Sequence, residues 1–292
     1  MSLPVKKIYI DTKMKTFDSY SNSNFKWELP ETVALPHNTI FFVDDICIPH
    51  TWYNIEAGIN DKIYMQVVNV LGTAAPTTND CKIIVLTPGN YNLTTFANHL
   101  ATIISAEFSH IPVSFTVAQN TISNTNTLTI TPNTANYKAK ILSDYDLKIQ
   151  LAHSNKPWTG PAYNINNPGD INDIIKNTSG SASFYTQADP YYTGSIDLQP
   201  IKNVYITSPN LGTYKTFSPS KGVTVIKKVP VNANDNQMIF SNVTSSNDYL
   251  DCSRQTLRTL TFELQDVHGN IIPLHGSHVS FSLVFDKYPI DD

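Results

Sequence analysis

Along much of this chain, apolar and polar residues alternate with a period of two. Near the C-terminus, Leu260, Phe262 and Leu264 alternate with Thr261, Glu263 and Gln265, and Val279, Phe281, Leu283 and Phe285 follow the same rule. That period buries one face of a strand and leaves the other to solvent. Three early strands are predicted, at about Asn24 to Leu29, Thr39 to Ile48 and Lys62 to Val70. Five more are predicted after residue 195, near Ile201–Thr207, Val223–Val229, Gln237–Val243, Leu257–Gln265 and Val279–Phe285. Three plus five gives eight, the strand count of one jelly roll. The expected fold class is therefore all-β, an eight-stranded antiparallel sandwich with one helix in an inserted, mostly-β subdomain.

The helix is the one clear change of period. Leu93, Phe96, Ala97, Leu100, Ile104 and Phe108 fall on one helical face, with Asn92 as the expected N-cap and Pro112 preventing continuation. Short strands surround it, at about Lys82–Leu86, Val113–Val117, Thr127–Thr131 and Tyr137–Leu142. Residues 153 to 195 have no period and are dense in turns and aromatics, among them Trp158, Tyr163, Phe184, Tyr185, Tyr191 and Tyr192. The expected domains are residues 1–75 with 191–292 as the jelly roll and 76–190 as the insertion. Lettering the strands B to I puts that insertion between D and E. The BC, DE, FG and HI loops of a jelly roll share one end.

The wording of several segments is more specific than their period. LDCSRQTLRTLTFELQDVHGNIIPLHGSHVSFSLVF (Leu250 to Phe285) resembles the C-terminal signature of the minor capsid (penton) proteins of virophages and Polinton/Maverick elements. FFVDDICIPHTWYNI (Phe41 to Ile55), the Pro88-Gly-Asn-Tyr91 turn, IDLQPIKNVYITSPNLG (Ile196 to Gly212) and VIKKVPVNANDNQMIF (Val225 to Phe240) belong with it. The resemblance implies a jelly-roll protein that forms homopentamers at the fivefold vertices of an icosahedral virion. It also implies contact with the double jelly-roll capsomers of a major capsid protein, and an outward inserted domain that meets host surfaces or glycan. It brings no catalytic motif and no cofactor. The alternative is a carbohydrate-binding β-sandwich attachment module. A glycan-active enzyme is a third reading, and it lacks a convergent acid pair.

Charge changes the picture mainly by exclusion. Only 15% of residues are charged and the net charge is −4, with no basic block longer than Lys6-Lys7 or Lys227-Lys228. Direct contact with nucleic acid needs a basic face, so none is expected. No stretch approaches the roughly 18 apolar residues of a membrane span, and the opening MSLPVKKIYIDTKMK carries no apolar core of signal-peptide length. Three cysteines, Cys47, Cys81 and Cys252, are too few and too odd in number for a disulfide framework, so synthesis in a reducing host compartment is expected.

Candidate chemistry is sparse. His268, His275 and His278 cluster and could in principle hold zinc, without a metalloprotease spacing or a cysteine partner; the expected reading is turn and strand-entrance histidines. Asp44-Asp45 and Asp144-Tyr-Asp146 are carboxylate pairs, but neighbours on a regular strand diverge, so Asp44 and Asp45 are not expected to converge. Asn232-Ala-Asn-Asp-Asn236 has the composition of a calcium loop but not the glycine and glutamate of an EF-hand. No metal, cofactor or catalytic residue is therefore assigned. Arg254 and Arg258 are the only arginines, and they flank the start of a strand. They are the candidate subunit-interface residues, because a guanidinium grips carboxylates in a way lysine does not. The competing role is an internal brace to Asp251 or Glu263.

Overall fold

The computed structural model describes residues 6–69, 78–119, 126–142, 171–172, 191–211, 224–242 and 248–287. In chain order its elements are β1 (Lys6–Asp11), β2 (Asn24–Ala34), β3 (Thr39–Pro49), β4 (Lys62–Asn69), β5 (Thr78–Val85), α1 (Leu93–Glu107), β6 (Phe115–Gln119), β7 (Leu128–Pro132), β8 (Tyr137–Ile141) and β9 (Tyr191–Tyr192). They continue with β10 (Asn203–Ser208), β11 (Thr224–Pro230), β12 (Met238–Ser241), β13 (Leu250–Asp251), β14 (Thr256–Gln265) and β15 (Ser280–Lys287). The chain divides into two units, residues 1–52 with 201–292, and residues 53–200.

The first unit is a jelly roll. One sheet runs β1-β15-β3-β12, with β13 pairing further along β3; the other runs β11-β10-β14-β2. With β1, β2 and β3 as B, C and D, and β10, β11, β12, β14 and β15 as E to I, these are the B-I-D-G and C-H-E-F sheets of that fold. All pairings are antiparallel. The insertion therefore lies between D and E, as strand lettering suggested, though the lettered strands are not all the expected ones. Lys6–Asp11 is B, a strand absent from the sequence reading. It is a short edge strand in which Ile8 and Ile10 face inward while Lys7 and Tyr9 face outward.

Lys62–Val70, expected in the jelly roll, belongs instead to the second unit, and this moves the boundaries from 76 and 190 to 53 and 200. There β4 is the middle strand of a β5-β4-β8 sheet. Ile63, Met65 and Val67 point into one core, while Tyr64 on the opposite face packs with Ile83 and Leu142. A strand covered on both faces loses the alternation that would tell which sheet it joins. The unit also holds a β6-β7-β9 sheet and α1. Asn92 caps α1 as expected: its side chain accepts from Thr95 N at 2.9 Å while Thr95 Oγ1 accepts from Asn92 N at 3.0 Å. Phe96, Leu100, Ile104 and Phe108 are buried against Phe115 and Ile130 in the same core.

The jelly-roll core is built around three rings. Phe25 and Phe262, on adjacent strands of one sheet, have centroids 5.4 Å apart, and Phe281 from the other sheet meets Phe262 edge-on at 5.0 Å. All three are essentially sealed from solvent. Phe262→Ala removes the middle ring and leaves a cavity between the sheets. The expected cost is about 3–5 kcal/mol, measured by chemical denaturation; a loss under about 1 kcal/mol would show that the cluster does not hold the sandwich.

Candidate functional site

One end of the sandwich is where the connections between B and C, F and G, and H and I meet the point at which the chain leaves D. Polar side chains staple these loops. His50, at the end of β3, is buried and donates from Nδ1 to Ala233 O at 2.9 Å, with Asp235 Oδ1 3.5 Å from its other nitrogen and Trp52 against its ring. A carbonyl can only accept, so Nδ1 carries the proton. His275 Nδ1 likewise donates to Thr51 O at 2.8 Å, and Thr51 Oγ1 donates to Leu274 O at 2.8 Å. His278 Nδ1 lies 3.2 Å from Thr12 Oγ1, and Asn22 Nδ2 donates to the carbonyls of Gly276 and Ser277.

The three clustered histidines thus face three different partners. His268 is on the exposed turn after β14, where its backbone N–H donates to Asp266 Oδ1. Among the described residues no group of three metal-ligating side chains converges. The Asn232–Asn236 stretch is a turn between β11 and β12. Asn236 adopts a left-handed φ of 62° and donates its N–H to His50 O at 2.8 Å, and Asp235 faces His50. Asp144, Asp146 and the aromatics Trp158, Tyr163, Phe184 and Tyr185 lie outside the described residues; Tyr191 and Tyr192 form β9.

Asp44 and Asp45 correct the expectation. Phe281 pairs with Ile46 and Leu283 with Val43, so both aspartates sit opposite the single residue Ser282. That is a β-bulge, and it suspends the alternation of faces. Both carboxylates reach Lys7 on β1, at 2.6 Å from Asp44 and 3.3 Å from Asp45, and Ser282 Oγ donates to Asp45 Oδ1 at 2.6 Å. The hydrogen bond that Lys7 donates to Asp44 leads in raising its ammonium above the ordinary value. The two carboxylates and the ammonium thus form one ion-paired cluster across β1 and β3.

The arginines part company. Arg258 on β14 gives Nε and Nη2 to Glu28 Oε1, at 3.1 and 2.7 Å, and Nη1 to Pro30 O at 3.1 Å. It is a brace between adjacent strands, to Glu28 rather than to Asp251 or Glu263. Arg254 lies at the other end of the sandwich from the stapled loops, on the turn into β14, with φ of 63°. Its Nε donates to His37 Nδ1 at 3.0 Å and its N–H to Pro36 O at 3.2 Å. Its head is exposed, and neither Nη group has a partner among the described residues.

Pattern reading missed the B–C connection. Met14, Phe17 and Tyr20 stand bare there, Phe17 fully so at 103% exposure and Tyr20 at 88%. The signal lay in three large apolar side chains within a turn-rich stretch, where no period exists to flag them.

The architecture defines the class: a single jelly roll interrupted between D and E by a mostly-β unit with one helix. The same fold is seen in the mavirus penton protein, whose crystal structure matches this chain with a TM-score of 0.51 and 11% identity over 97% of this chain and 99% of that one. No family model and no curated protein matches the sequence. No helix among the described residues is long and apolar enough to cross a membrane.

The cysteines give a direct check on the packing. Cys252 is buried with Sγ 3.5 Å from Thr39 O, and burial, helped by the Asp251 charge, pushes its thiol up to about 12. Burial and the Asp80 charge push Cys81 to about 12 as well, and burial raises Cys47. The thiolate is the reactive form, so thiols raised this far stay protonated at pH 8. Disulfide-exchange reagent at pH 8 should titrate at most one thiol in the folded protein and three after denaturation; rapid loss of Cys252 in the folded state would contradict the packing.

Proposed function

We propose that this chain is a structural capsid protein, a penton subunit whose chemistry is association rather than catalysis. One observation carries the reading: a complete B-to-I jelly roll with its insertion between D and E, in a fold shared from end to end with a penton protein. The resemblance of the Leu250 to Phe285 segment to penton sequences points the same way. The composition supports it too, with 11% aromatics against 15% charged residues suiting large protein surfaces. Five copies close a ring at the fivefold vertex of the virion by head-to-tail contacts, since cyclic closure beyond a dimer requires heterologous interfaces. The ring sits among the capsomers of a major capsid protein. The jelly roll carries the ring contacts, and the inserted unit takes the outer side, where it meets host surfaces or glycan.

Of the two arginines, Arg254 is assigned to the interface. Its Nε is held by His37, so its Nη groups are presented as a preset fork for a carboxylate of the neighbouring copy. Arg258 is assigned to the fold.

Mass photometry and negative-stain imaging of the purified protein, alone and with the major capsid protein, test the reading. Fivefold rings are expected in at least one condition, and a chain that stays monomeric in both while binding glycans would be an attachment module instead. Arg254→Ala should weaken the ring about tenfold or more, a loss typical of a charged contact, while Arg258→Ala leaves it intact.

Replacing residues 53–200 with a short Gly/Ser bridge should give a soluble jelly roll that still self-associates. Both cut ends are held by the same F–G connection, His50 N donating to Gln237 O at 2.8 Å and Val231 N to Lys202 O at 2.9 Å. A folded but strictly monomeric product would move the ring contacts into the insertion.

A further inference from the structure

The connection between β1 and β2 combines two properties rarely found together: it is firmly fixed, and it displays large apolar side chains to water. Thr16 N donates to Lys26 O at 3.0 Å, Lys26 N to Ser19 Oγ at 3.0 Å and Lys26 Nζ to Asp18 Oδ2 at 2.5 Å, while Asn22 ties the far side to the H–I loop. The Lys26 hydrogen bond leads in holding the Asp18 carboxyl below its ordinary value. From that frame Met14, Phe17 and Tyr20 project, Phe17 with no cover at all. Ordering a loop in order to expose a phenylalanine costs hydration and chain entropy and returns nothing to the isolated subunit. It does return affinity to a complex, because a preset anchor loses little freedom on binding.

The outer face of the B-I-D-G sheet has the complementary character. Phe240 is 66% exposed on β12, with Met238 beside it, and on the same face Phe42 packs against Tyr249 with centroids 5.0 Å apart. Next to these lies the bulge, where two carboxylates share one ammonium and so leave one net negative charge. The loop offers the opposite sign: Lys13 and Lys15 flank Met14, and neither makes an ion pair with any described residue. One chain therefore carries an apolar knob rimmed by lysine and an apolar face rimmed by aspartate.

Resting on the penton reading, we propose that the Phe17 loop of one copy docks on the Phe240 face of the next, and that this knob-on-sheet contact is the head-to-tail joint of the ring. A single contact of this kind uses both exposed apolar features. It is heterologous, as closure around a fivefold axis demands.

The test uses the full chain with Phe17→Asp and Phe240→Asp, each checked for an unchanged melting temperature. Wild-type protein should form rings, each variant alone should be at least tenfold weaker in self-association, and an equimolar mixture of the two should give heterodimers. The heterodimer is diagnostic, because the Phe17→Asp chain keeps its face and the Phe240→Asp chain keeps its loop, leaving one sound joint per pair and no ring. Rings that persist in both variants would overturn the contact and leave the penton reading standing. So would Phe17→Asp rings that no longer bind the major capsid protein, an outcome that would assign the loop to that partner. Loss of the ring in Phe17→Asp but not in Phe240→Asp would overturn the sheet face as acceptor. A wild-type chain that is monomeric alone and with the major capsid protein would overturn both the contact and the reading beneath it.

Discussion

The sandwich depends on three phenylalanines drawn from both ends of the chain. Phe25 comes from the first strand of one sheet, Phe262 from its neighbour, and Phe281 from the facing sheet, and their rings close the gap between the layers. Each ring buried away from water contributes about 1.5–3 kcal/mol. The edge-to-face contact of Phe262 with Phe281 adds about 0.5–1.5 kcal/mol more. Because Phe25 is more than 230 residues from both of its partners, the N-terminal and C-terminal parts of the chain must fold as one body. This lets the 148-residue stretch from 53 to 200 be inserted between strands D and E of that body.

A jelly roll closed this way must still hold its loops at the end where the insertion leaves. That task falls to polar groups. His50 and His275 donate to backbone carbonyls, Thr51 donates to Leu274 O, and Asn22 bridges two carbonyls of the H–I turn. These bonds go to main-chain carbonyls of the loops, outside the strand ladders. Of the three clustered histidines, His275 and His278 take part in this stapling, whereas His268 sits on an exposed turn. The strain is local: His275 and Arg254 both adopt left-handed backbone angles, with φ of 46° and 63°, that ordinary side chains seldom take.

Several charged groups are answered within the subunit. The carboxylates of the bulge are answered by Lys7, Arg258 is spent on Glu28, and Asp18 is clasped by Lys26. Beside these pairs the described surface exposes large apolar side chains, led by Phe17, Tyr20, Tyr9 and Phe240. Exposed apolar side chains on well-ordered segments are the form that subunit joints take in closed oligomers.

Period alone was enough to read most of the strands and the helix with its Asn92 cap, because a side chain facing a core on one side only must alternate or recur every 3.6 residues; the insertion falls between D and E as lettered only because a missed first strand offsets a strand counted in the wrong unit. Where that condition failed, the sequence was silent or misleading. Met65 and Tyr64 are buried on opposite faces of β4, so the strand showed no preference and was assigned to the wrong unit. Asp44 and Asp45 were expected to diverge, and an extra residue in the bulge brought them onto one lysine. The two arginines looked equivalent, and only their neighbours separated them: Glu28 and Pro30 take up all of Arg258, whereas His37 takes one nitrogen of Arg254. The bare Phe17 loop carried no period to read. What the sequence determined by itself is what depends on a residue's near neighbours along the chain; which strand lies beside which, where a ladder slips by one residue, and which side chain is left facing water depend on contacts between distant segments, and those the tertiary structure decided.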